Sequence, residues 1–156
     1  MRRLAVSGID GIYFSSKWIN KLPPARYREL AAPHDLRIIS EAKSLWCNMF
    51  HLCEGGIDLS AVADYPVQVF HWDANAERNP GYDAGLERVP HAAVGGGVDA
   101  RALAFGTPED VERKARAWIE RTNGSRFILG PGCSIITAKT PAANLRALKD
   151  ATVAMA

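Results

Sequence analysis

No apolar run in this chain approaches the roughly 18 residues that a membrane helix needs, so no membrane partner is expected. Charge of one sign is scarce as well. Lys and Arg total 19 against 17 Asp and Glu, a formal charge of +2 that is dispersed along the chain. That balance argues against a nucleic-acid partner. Cysteine is rare: three residues, an odd number without a disulfide-like framework. Such thiols serve as ligands or core residues in a reducing compartment, and a cytoplasmic location is expected. Met1-Arg2-Arg3 is basic, but Ser7, Asp10 and Gly11 break up the apolar residues after it, so no signal peptide is expected. No GxGxxG opens a helix after a first strand, and there is neither a P-loop nor a serine nucleophile elbow. Linkers and low-complexity stretches are absent too. The 156 residues, 47% hydrophobic and 23% charged, therefore read as one domain over 1–156 with an ordinary core.

What is present is a rhythm of strand, loop and helix. Ile9–Ser15 is a short strand candidate, and Ala5-Val6-Ser7-Gly8 before it reads as a helix end with its glycine stop. Pro23-Pro24 start a helix with Tyr27, Leu30 and Ala31 on its apolar side, and Pro33 interrupts it. Leu36–Leu45 resumes the helical spacing through Leu36, Ile39, Ala42 and Lys43. Trp46–Cys53, Pro66–Trp72, Ala92–Val98 and Phe127–Leu129 are further strands. A weak helix comes after Asn79-Pro80-Gly81. Thr107-Pro108-Glu109-Asp110 is a strong helix start, with Val111, Ala115, Trp118 and Ile119 as a buried stripe and Asn123-Gly124 as the stop. Thr140-Pro141 caps the last helix in the same way, with Leu145, Leu148 and Val153 apolar. Strands alternating with helices imply an α/β fold with a parallel sheet.

In such folds, sites lie at the carboxyl ends of strands. His51 and Cys53 alternate with Phe50 and Leu52, so they share one face of their strand. Imidazole and thiolate side by side are a natural pair of zinc ligands, although a histidine–x–cysteine pair also occurs as plain packing. A third donor must come from elsewhere, and Cys133, just past the run ending at Leu129, is the supplier. Cys47 points to the same face as His51 but about 13 Å back along an extended strand, and it reads as core. His71 and Asp73 fit a general acid–base pair or a fourth metal ligand; equally, they fit a loop entrance with a capping aspartate. Asp99, after Gly95-Gly96-Gly97, fits a substrate hydrogen bond or a turn cap before Leu103. Glu54 reads as solvated, and His34 and His91, each beside a proline, as surface residues. The glycine triplet lets backbone approach a ligand or another strand.

Taken together, these segments resemble the uroporphyrinogen decarboxylase superfamily, in particular its cobalamin-linked, zinc-dependent methyltransferases. The resemblance runs from about Gly8 to Leu148. It rests on Gly8-Ile9-Asp10-Gly11 and on His51-Leu52-Cys53 with a glycine after it. It rests further on Gly97-Val98-Asp99-Ala100 with Leu103, Gly106-Thr107-Pro108-Glu109 and Val111, and on Gly132-Cys133-Ser134 with Thr140-Pro141-Ala142-Ala143-Asn144. The family pattern places glycine directly after the cysteine, where this chain has Glu54 before Gly55.

The resemblance implies a (β/α) barrel, incomplete here, with about the last five of eight strand–helix units. It therefore implies a fragment, or half of a split protein, that pairs through its open sheet edges with a second chain or with itself. It also implies zinc held by His51, Cys53 and Cys133, a corrinoid protein as methyl donor and a small thiol as acceptor. Cysteine at position 133, where the decarboxylases tend to carry glycine-histidine-glycine, favours that branch over a decarboxylase acting on a porphyrinogen.

Overall fold

The computed structural model describes residues 7–153. Five strands alternate with helices along the chain. They are β1 (Tyr13–Ser16), β2 (Met49–Leu52), β3 (Val69–His71), β4 (Ala93–Val98) and β5 (Phe127–Pro131). The helices are α1 (Pro24–Leu30), α2 (Ala32–Glu41), α3 (Tyr82–Arg88), α4 (Ala100–Phe105), α5 (Pro108–Thr122) and α6 (Ala142–Val153). A short 3-10 turn, Leu59–Ala61, lies between β2 and β3. The strands form one sheet in the order β1-β2-β3-β4-β5, and every pairing is parallel. Chain order equal to spatial order, with helical crossovers, is the wall of a (β/α) barrel. Among the described residues the wall is incomplete, because β1 and β5 each pair on one side.

Register sorts the side chains into two rows. Phe14, Phe50, Phe70, Val94 and Phe127 are paired neighbours across the five strands. This row faces the helices. Phe14 stacks on Phe50 at 5.5 Å, and Phe127 stacks on Trp118 of α5 at 5.6 Å. The main core grows from it, with Tyr27, Ile39, Tyr65, Trp72 and Tyr82 all buried. Ser15, His51, His71, Gly95 and Ile128 form the next row, on the opposite face. Tyr13, at 59% exposure, and Ile128, at 41%, leave that inner face partly open.

Local chemistry accounts for most element ends. Thr107 and Asp110 form a reciprocal capping box at the start of α5, with Pro108 in its first turn. Asn123 closes the helix in the left-handed region at φ +43°, ahead of Gly124 at +71°. Gly11 is obligatory for space: a Cβ there would fall 1.7 Å from the Cys47 carbonyl oxygen.

Several expectations need correction. The helix end expected at Ala5-Val6 lies outside the described residues. The helical run does break beside Pro33, at Ala31, but Pro33 itself sits in the first turn of α2, where a missing N–H costs nothing. The first four strands are shorter than their apolar runs, β5 runs on to Pro131, and α4 stands where only a turn is expected after Asp99. Thr140 directs its hydroxyl to the Ile136 carbonyl at 3.0 Å. On α6, Leu145 and Val153 are exposed, and the buried side is Asn144, Leu148 and Ala151. Asn144 is 1% exposed, and its amide donates to the carbonyls of Leu103 and Gly106 at 2.9 and 2.8 Å, tying α6 to the end of α4.

The carboxylate of Asp35 on α2 is buried and accepts from the hydroxyls of Tyr27, at 2.6 Å, and Tyr65, at 3.0 Å. Tyr27 also meets the Ser16 hydroxyl at 2.9 Å, so this cluster ties two helical segments to the end of β1. Burial raises the Asp35 pKa, while the two tyrosine hydrogen bonds oppose that rise. Replacing Asp35 by Ala orphans the buried Tyr65 hydroxyl, leaves Tyr27 with Ser16 alone, and is expected to cost about 2 kcal/mol of unfolding free energy. Tyr65→Phe removes one donor and is expected to cost about 1 kcal/mol. Urea denaturation of both variants checks the ranking.

Candidate metal centre

The parallel register delivers the end of each strand to one rim. His51, the third residue of β2, is 3% exposed. Cys53 comes just beyond the strand, anchored by its N–H to the Ser16 carbonyl at 3.1 Å. Cys133 arrives from the loop after β5, where the Gly132 N–H donates to the Val98 carbonyl at 2.8 Å. One donor atom from each of His51, Cys53 and Cys133 lies within 4.8 Å of the other two. The Cys133 Sγ stands 3.5 Å from His51 Nε2. Sulfur and nitrogen sharing one tetrahedral zinc ion sit about 3.5 Å apart, from bond lengths of roughly 2.3 and 2.1 Å. The three donors suit such an ion in kind, the Cys133–His51 pair also in spacing, and the two half-buried sulfurs leave an accessible side.

The thiols differ in charge preference. The hydrogen bond with His51 pulls Cys133 down to about 6, helped by the backbone N–H groups of Ser134 and Glu54. Burial pushes Cys53 up, and the neighbouring Cys133 charge adds to that rise. Without an ion, the surroundings favour charge on Cys133 and disfavour it on Cys53. A dication would relieve both the repulsion and the burial penalty.

His71 is 7% exposed, and both its ring nitrogens are engaged. Nδ1 lies 2.7 Å from His51 Nδ1, and Nε2 lies 2.9 Å from the Pro131 carbonyl oxygen. Burial, then the neighbouring His51, lowers its pKa to about 4. The ring thus stands behind His51, with no nitrogen left for an ion. Asp73 accepts from the Asn75 backbone N–H at 3.0 Å, the capping-aspartate arrangement. A Cβ on Gly132 would come 2.7 Å from Asp73 Oδ1, so Asp73 packs directly under the loop that carries Cys133. Asp99 is the N-cap of α4, accepting from the Ala102 N–H at 2.8 Å, and it meets Lys114 Nζ at 3.3 Å. It lines a cavity of about 220 Å³ with Asn75, Lys114, Trp118 and Arg121, which shares no residue with the three-donor cluster. Cys47 is half-buried outside the cluster, and His34 and His91 are exposed.

Sequence reasoning misses Tyr13, whose ring stacks on His51 at 5.4 Å. Burial, then the charges of Cys133 and Cys53, pushes its hydroxyl up to about 12. The one signal is its two-residue spacing from Ser15, but only the register shows Ser15 to be the partner of His51. Glu54 is more than a solvated carboxylate. It takes φ +72°, a conformation that glycine adopts freely, and so occupies the turn that the family pattern gives to glycine. Its carboxylate meets Lys21 at 2.9 Å, and its backbone N–H faces both sulfurs.

A family model for uroporphyrinogen decarboxylase matches residues 1–154. The chain belongs to the uroporphyrinogen decarboxylase family. Among curated relatives, a uroporphyrinogen decarboxylase of Prochlorococcus marinus is 27% identical over 144 residues, which is 90% of this chain and 39% of that protein. One from Mycobacterium tuberculosis is 28% identical over 120 residues, covering 73% of this chain and 33% of that protein. The chain thus spans well under half the length of the curated relatives it matches. A solved methyltransferase from Methanosarcina mazei aligns with a TM-score of 0.77 at 23% identity, covering 95% of this chain and 43% of that one. At that identity the likeness establishes the fold alone.

The left-handed turn makes a prediction independent of any ion. Glu54→Gly and Glu54→Ala lose the same carboxylate contacts, but only glycine takes the turn without strain. The glycine variant is expected to melt above the alanine variant in thermal denaturation; equal melting would mean that the turn is not strained.

Proposed function

We propose that this chain is the zinc-holding part of a methyltransferase that moves a methyl group from a corrinoid protein to a small thiol. The observation that carries the reading is the convergence of His51, Cys53 and Cys133 at one strand rim, with nitrogen and sulfur 3.5 Å apart. Zinc held there would lower the pKa of a bound thiol and supply a thiolate nucleophile at neutral pH. The chain's own residues do the rest. His51 is held from behind by His71, and Tyr13 covers one face of its imidazole. The N–H groups of Glu54 and Ser134 stabilise sulfur charge, and Asp73 sets the height of the Cys133 loop. The open sides of Cys53 and Cys133 face the space where a thiol would enter. Of the acid–base candidates, His71 and Asp73 support the donors, and Asp99 orders the neighbouring helix start.

A second reading comes from the names of the curated relatives: a decarboxylase acting on a porphyrinogen. It requires no ion and gives the sulfur pair no task. A further partner is suggested by the outer edges of β1 and β5, unpaired among the described residues, with Tyr13 and Ile128 exposed. A second chain, or another copy, would cover that face.

Zinc content of protein purified from metal-depleted buffer separates the readings. About one ion per chain is expected, with loss in Cys53→Ser and in Cys133→Ser. Wild-type protein with no zinc above background, together with porphyrinogen turnover, would replace the methyltransferase reading by the decarboxylase one. Sedimentation of the same sample is expected to show association; a stable monomer removes the paired-chain partner.

A further inference from the structure

His51 has two nitrogens, and a metal site needs the right one bare. We infer that His71 is a positioning residue that fixes His51 as an Nε2 donor, by accepting the proton on His51 Nδ1. This rests on the zinc reading above, but its evidence is a count of protons along one chain of contacts. The chain begins at the Pro131 carbonyl oxygen, 2.9 Å from His71 Nε2. A carbonyl only accepts, so His71 carries its proton on Nε2. With one proton per ring, His71 Nδ1 is bare. That bare nitrogen lies 2.7 Å from His51 Nδ1. Two bare nitrogens at this distance would repel, so His51 brings its proton to Nδ1. Its Nε2, 3.5 Å from Cys133 Sγ, is left to give a lone pair to an ion or, when none is bound, to take up the Cys133 proton and face the sulfur as an N–H donor.

The surroundings hold this arrangement rigidly. His51 and His71 are direct partners in the β2–β3 register, and Gly95 is the next partner along the row. A Cβ on Gly95 would stand 3.0 Å from His71 Cδ2, so glycine leaves the ring its slot. Pro131 precedes Cys133 by two residues. The strand end that delivers the sulfur therefore also sets which nitrogen of His51 faces it. Metal-bound histidines commonly donate their second nitrogen to a fixed acceptor, and removing that acceptor weakens the ion. Here the acceptor is a second imidazole, itself oriented by backbone.

Long-range proton–nitrogen spectra of metal-free protein read ring protonation directly. The expected pattern is His71 protonated on Nε2 and bare on Nδ1, with His51 protonated on Nδ1. A bare Nδ1 on His51, or a proton on His71 Nδ1, overturns the inference. In chelator competition, His71→Leu is expected to bind zinc roughly tenfold to a hundredfold more weakly. His71→Gln, which offers an oxygen acceptor, should stay within a few-fold of wild type. A His71→Leu protein with native circular dichroism, wild-type zinc affinity and unchanged His51 protonation would also overturn it. If wild-type protein takes up no zinc, the zinc reading fails while the spectra still decide the proton pattern.

Discussion

Parallel pairing in register is the constraint on which this molecule depends. Each strand hands its last residues to the same rim, and residues far apart in the chain become lateral neighbours. His51 and His71 lie twenty positions apart in the sequence and face each other because β2 and β3 run the same way without a slip. One residue of slippage would exchange the rows. The imidazoles would turn into the aromatic layer, and Phe50 and Phe70 would face the open side. The packing of Phe14, Phe50, Phe70 and Phe127 against the helices therefore holds the polar row in place. The stability of the core and the geometry of the site are one property seen from two faces of the sheet.

Burying polar groups has a cost, on that inner face and among the helices alike, and the structure meets it by pairing. His71 commits both nitrogens, one to His51 and one to backbone. Asp35 accepts two tyrosine hydroxyls, and Asn144 places its amide protons on two helix-end carbonyls. Unpaired, each would penalise folding by about 1–3 kcal/mol. The cysteines are the exception. Two sulfurs and one imidazole share too few protons and too much prospective charge to be at rest alone. On the proposed reading, a cation would complete such a set.

Much of this can be seen in the residues themselves. The alternation around His51 and Cys53, the Thr107-Pro108 start and the Asn123-Gly124 stop are local signals with local causes, and they stand in the fold where the chain suggests. What escapes is non-local. The contact between His51 and His71 needs strand adjacency, and periodicity within one strand cannot supply it. The α6 face misleads because hydropathy favours Leu145 and Val153, while the residue that docks the helix is the polar Asn144. The short α4 escapes because its six residues are too few for a period, and its cap, Asp99, draws attention as chemistry. Glu54 escapes because its importance lies in a backbone angle that its side chain does not advertise.

The contact between Gly132 and Asp73 has a consequence for transplanting this centre. Cys133 hangs from a loop whose height is set by a carboxylate sixty residues earlier, seated where even one methyl group would intrude. The donor is leashed to a different strand from the one that bears it. A designer who copied the three donors into another scaffold would carry over the sulfur without its tether. The smallest portable unit is the four-strand arc from β2 to β5, and not a three-residue signature.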